Sequence, residues 1–127
     1  MTAAIVAVGW IVGLALVIAG IAFFVAPRAV APGYGVRVQD HAGIGYARAT
    51  GVRDVALGIA VCACSYFHDL GLLAVLAIGG MLVSIADFFI AYHHGPERRL
   101  HPVHAIHASG IVAFALVLAM ALFAVGR

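Results

Sequence analysis

Five side chains in this chain of 127 residues have types and spacings suited to proton chemistry: Arg53, Asp54, Asp87, His104 and His107. A carboxyl group beside an imidazole can pass a proton in either direction. A guanidinium nearby steadies the negative charge that such transfers leave. Taking either titratable group out of water favours its neutral form, in which exchange is efficient. His104 and His107 are three residues apart and share a helix face. Arg53 and Asp54 are neighbours, about 100° apart on a helix, so they are not expected to point along one direction. The expected assignment makes Asp87 or Asp54 the acid or base and His107 or His104 its partner. Arg53, Tyr46 and Tyr92 would contact substrate, and no metal or cofactor is called for.

Chemistry of this kind needs a setting, and the composition supplies one. Hydrophobic residues make up 65% of the chain and charged residues 9%, with a mean hydropathy of +1.15. That is far from the composition of a soluble domain. Its apolar runs reach the roughly 20 residues that a helix needs to cross a bilayer. All seven basic side chains are Arg, and most sit in two loops rather than in a stripe, which argues against nucleic acid as a partner. Cys62 and Cys64 lie two apart in an apolar run and would point to opposite sides of a helix, as packing residues rather than a disulfide.

The expected fold is all-α: a single integral membrane four-helix bundle with spans at about 3–26, 49–67, 70–92 and 102–125. The second span must begin near Ala49 or earlier and carry Arg53 and Asp54 into the membrane. The polar, Gly-rich stretch before it reads as a loop, and HDLG at 68–71 as a tight turn. Ala29-Val30-Ala31 has the small-x-small look of a cleavage site. No basic residue precedes the apolar run, however, so a permanent first helix is expected. The loop arginines, Arg28, Arg37, Arg48, Arg98 and Arg99, place both long loops in the cytoplasm and both termini outside a cell (inner) membrane. A faint repeat aligns ATGVRDVALGIAV (49–61) with ASGIVAFALVLAM (108–120), and IAFFVA (21–26) with IADFFIA (85–91). The halves would be two parallel helical hairpins. Where the second helix has Arg53 and Asp54, the fourth has Val112 and Ala113.

Helix arithmetic then puts Arg53, Asp54, Asp87, His104 and His107 at one depth, roughly 5 to 10 Å below the interface. An Asp or Arg at a span centre costs about 2.5–3.5 kcal/mol on insertion scales, so these groups should face inward and pair. Arg53 is the exception, long enough to reach head groups. The stretch HHGPERRLHPVHAIH (93–107) therefore divides. His93, Glu97, Arg98, Arg99 and His101 form a solvated turn, while His104 and His107 lie in the membrane beside Asp87.

The elements GVRDVALG (51–58), Asp87 late in the third helix, and HAIHASG (104–110) resemble the small four-helix membrane proteins of domain of unknown function family 4267, and more distantly DoxX-like proteins. The resemblance implies an architecture in which the Arg-Asp pair and the Asp/His set belong together; it implies no activity. Two functions compete. One is a cofactor-independent acid–base enzyme (isomerase, cyclase or epoxide-opening type) on a lipophilic substrate. The other is a non-catalytic accessory subunit binding a lipid, a quinone or a partner protein. A four-span exporter is disfavoured because the first helix carries no charge. A metal or haem site would have to draw on His94, His101, His104, His107 and Asp87. Gly9-xxx-Gly13 suits close helix packing within the chain or in a homo-oligomer.

Overall fold

The computed structural model describes residues 2–94 and 102–126. Glu97, Arg98, Arg99 and His101 of the expected solvated turn lie outside the described residues, and His93 is exposed at its edge. Four long helices carry the architecture: α1 (Thr2–Val25), α3 (His41–Phe67), α4 (Leu70–His94) and α5 (Pro102–Val125). All four are long and apolar enough to cross a membrane, so the chain is an all-α integral membrane protein. Between α1 and α3 lie a short helix, α2 (Pro27–Val30), and a 3₁₀ turn (Ala31–Tyr34).

Local chemistry sets the boundaries. Pro27 has no N–H to continue α1 and instead starts α2. Gly35 takes a left-handed φ of 79° that closes the 3₁₀ turn. The next helix begins at His41, well ahead of Ala49, because Asp40 caps it: its Oδ1 accepts from the Gly43 N–H at 2.7 Å. At about 40 Å, α3 is longer than the hydrocarbon core is thick, so its His41 end reaches beyond the core. The expected tight turn is two residues, His68 and Asp69. His68 is left-handed at φ 57°, and Asp69 Oδ1 accepts from the Leu72 N–H at 3.0 Å to start α4.

Glycines determine which helices pair. Gly13 lies against Gly58, and Gly20 against Gly51, so that α1 and α3 run antiparallel with their backbones in contact. A methyl group added at Gly51 would stand 2.5 Å from the Gly20 carbonyl oxygen and 2.9 Å from the Phe24 nitrogen. Gly9 packs on Ser65, so both glycines of Gly9-xxx-Gly13 face α3 of the same chain. The second antiparallel pair, α4 and α5, fits differently: the Phe114 ring fills the space over Gly80, and Gly110 meets Ser84. The aligned positions Gly51 and Gly110 thus make matching crossings in the two hairpins.

The apolar core occupies the end of the bundle nearest the His68-Asp69 turn. Ile5, Val61, Cys64, Leu73, Ala77, Phe114 and Val117 bring all four long helices together there. At the opposite end a smaller cluster of Phe23, Ala31 and Ala47 packs the α1–α3 connection down onto its own hairpin. Little apolar packing joins the hairpins at that end, and the polar groups are found there.

Gly51→Val should destabilise the protein by about 1–3 kcal/mol through overpacking at a backbone crossing. Gly45→Ala, where nothing lies within 4 Å, should be neutral or slightly stabilising. Thermal unfolding in detergent measures both, and equal effects would remove the crossing as the determinant of pairing.

Candidate functional site

Arg53 projects from α3 toward α4 and holds two carboxylates. Its Nη2 donates to Asp87 Oδ2 at 3.0 Å, and its Nε donates to Asp54 Oδ1 at 3.2 Å. Both contacts are also ion pairs. Adjacent side chains on a helix diverge, yet here the long arginine turns back so that one guanidinium serves its neighbour and the next helix together. The Asp54 side chain is the most covered, 17% exposed, against 30% for Asp87 and 41% for Arg53. Arg53 and Asp87 are therefore the open side of the bridge, and Asp54 is its covered side.

This arrangement departs from two expectations. Arg53 is paired rather than the exception expected, since carboxylates on its own helix and on α4 offer it charge-assisted hydrogen bonds. Asp87 and His107 do not hydrogen-bond each other. The Asp87 carboxylate takes the cation, which attracts it more strongly than a neutral imidazole would.

His107 instead meets the connection between α1 and α3. Its Nε2 lies 3.1 Å from the Tyr34 carbonyl oxygen. A carbonyl can only accept, so Nε2 carries the hydrogen in this contact. The Tyr34 ring stands edge-on between Phe23 (4.7 Å) and His107 (6.0 Å). Burial first, and the negative charge of Asp54 second, push the Tyr34 phenol above its ordinary pKa. It stays neutral at any physiological pH, with its ring close enough to Asp54 to feel that charge.

His104 is buried one turn away on α5. It packs against two α4 rings, Phe88 at 5.6 Å and Tyr92 at 5.9 Å. Phe88 and Tyr92 are four apart and present one face to it. Tyr92 thus lies against His104, whereas Tyr46 is 78% exposed. Among the described residues no three His, Cys, Asp or Glu side chains converge to hold a metal ion. Cys62 and Cys64 are free thiols within the packing.

The sequence reading missed Tyr34. It follows Pro32 and Gly33 in a connection that looked like a surface loop. The available signal was that pair of turn-formers, which folds the aromatic residue back over the bundle end.

In a double-mutant cycle, Arg53→Gln and Asp87→Asn should couple by about 1–3 kcal/mol. Arg53→Gln alone should cost more, because it leaves two carboxylates facing each other, and adding Asp87→Asn should recover part of the loss. Additive effects in chemical or thermal unfolding would mean that the bridge is not formed in the bilayer.

The family model described as "Domain of unknown function (DUF4267)" matches residues 13–121, from Gly13 on α1 to Ala121 on α5, with the whole polar set inside the match. Neither the curated proteins nor the solved structures contain a match to the chain. The chain belongs to the DUF4267 family.

Proposed function

We propose that the chain is a membrane-embedded acid–base catalyst for a lipophilic substrate, of the isomerase, cyclase or epoxide-opening type. The observation that carries this reading is one guanidinium shared by carboxylates from two helices, Asp54 and Asp87. With both carboxylates ionised, the set has one negative charge in excess inside an apolar slab. A single proton removes that excess, and the two carboxylates then form one unit that can give a proton and take one back. Arg53 keeps the remaining charge in place while the proton is away.

Access supports the same reading. Arg53 and Asp87 are both partly exposed, at 41% and 30%. A molecule dissolved in the bilayer would reach them sideways, with its polar group at the bridge and its apolar body along the helices. Asp87 is then the group that meets substrate, and Asp54 is the reservoir behind it. His107, held through Nε2 by the Tyr34 carbonyl, and His104, between Phe88 and Tyr92, would line the inner side. On the placement of the arginines, the site would lie near the cytoplasmic face of the cell membrane.

A second reading rests on its own observation. Asp54 and Asp87 are already paired with Arg53, and His107 with a backbone carbonyl, so the groups are satisfied without substrate. That arrangement suits an accessory subunit whose polar set binds a lipid, a quinone or a partner protein.

Deuterium labelling separates the two. Purified protein in nanodiscs is incubated in D₂O with a lipid extract of its host, and bound molecules are identified by mass spectrometry. Catalysis predicts a bound lipophilic molecule that is chemically changed, gaining deuterium from solvent at carbon in an isomerisation or cyclisation or the elements of water in an epoxide opening, with the rate falling about a hundredfold or more in Asp87→Asn. A bound molecule recovered unchanged, or a change that persists in Asp87→Asn, would leave the accessory reading standing.

A further inference from the structure

We infer a separate site for an anionic glycerophospholipid, with the lipid phosphate held between Arg28 and Arg48 at the end of the first span. A groove of about 340 Å³ is lined by Val25, Pro27, Arg28, Ile44 and Arg48, among others. Its floor is apolar, both of its charged residues are cationic, and no acidic side chain lines it.

The two arginines are held differently. Arg48 Nε donates to the Phe24 carbonyl oxygen at 3.2 Å, occupying one of the acceptors that the end of α1 leaves without a helical partner. Its guanidinium also lies 5.8 Å from the centre of the Phe24 ring. These two contacts tie the Arg48 side chain to the end of α1. Arg28, on α2, makes no hydrogen bond or ion pair among the described residues. Two cations lining one groove over an apolar floor, with no acidic residue lining it among the described residues, are complementary to one ligand type: an anion with a hydrocarbon body.

Depth selects the source of that anion. The 24 residues of α1 rise about 36 Å, slightly more than the hydrocarbon core, so the groove at Val25 lies at the level of lipid phosphates. Val25 is 70% exposed and Phe24 50% exposed, and both present apolar surface for an acyl chain just below. A phosphodiester seated between the arginines would receive a two-pronged set of N–H donors, for which guanidinium is suited. This site is distinct from the Arg53 bridge and does not depend on the activity proposed for it.

The test is native mass spectrometry of full-length protein released from nanodiscs containing equal phosphatidylglycerol and phosphatidylcholine. Wild type should retain phosphatidylglycerol with a preference of about tenfold, the scale of one or two head-group contacts. Arg28→Gln removes an exposed side chain that makes no hydrogen bond or ion pair among the described residues, so it should reduce the preference without changing the unfolding temperature. Arg28→Gln/Arg48→Gln should abolish the preference, while Arg37→Gln, outside the groove, should leave it intact. Equal retention of the two lipids by wild type, or an unchanged preference in the double variant, would overturn the assignment. So would complete displacement of the lipid by millimolar inorganic phosphate, which would identify the groove as a site for a soluble anion.

Discussion

A charged side chain inside a bilayer must find a partner or leave, and Arg53 settles that requirement for two helices together. The cost of stranding a carboxylate at this depth amounts to a few kcal/mol, comparable to the contacts that join helices in lipid. Asp87 therefore fixes where α4 can stand relative to α3, because Arg53 can satisfy it across that interface alone. Near the His68-Asp69 turn the four helices are held by apolar packing around Leu73, Ala77 and Phe114. Away from it, the hairpins are held by the ionic bridge and by His107 reaching the Tyr34 carbonyl. The second end is polar, and no buried apolar cluster among the described residues spans the two hairpins there.

Within each hairpin the constraint is different. Lipid tails are as apolar as leucine, so helices gain little from hiding apolar surface from one another. Close backbone approach supplies the attraction instead, which is why glycine recurs at the α1–α3 crossings. The α4–α5 pair solves the same problem with a ring over a glycine, Phe114 on Gly80. The matched crossings at Gly51 and Gly110 suit an origin in two similar hairpins, and the differences between them then carry information. Val112, aligned with Arg53, is 67% exposed and apolar, while α1 has no carboxylate where α4 has Asp87. The charged set was built on one face of the pair only.

Much of this was legible beforehand. Length and hydropathy set four spans, and the positions of Arg53, Asp54, Asp87 and His107 along them placed these residues near one level. The family was legible from GVRD, Asp87 and HAIH. What stayed hidden depended on rotation about helix axes, which periodicity barely constrains in helices apolar on every side. Whether Asp87 would face α5 and an imidazole, or α3 and a guanidinium, turns on a few tens of degrees. The start of α3 was hidden for another reason: Gly43 and Gly45 weaken helix propensity, and a single Asp40 cap outweighs them. Tyr34 was hidden because a loop's path over a bundle end is a tertiary fact.

An ion pair that serves only to join two helices would be expected in the interior, where neighbouring side chains shield it from lipid. Here the cation, at 41% exposed, is the most open member of its set, and the carboxylate behind it, at 17%, is the most covered. That order is unfavourable for a simple staple, since it leaves the shared guanidinium the least covered of the three. It suits a polar group arriving from the membrane, which would meet Arg53 and Asp87 before anything else and find Asp54 beneath them. The proposed chemistry rests on the shared guanidinium, and the partial exposure of Arg53 and Asp87 is what would let a substrate reach it.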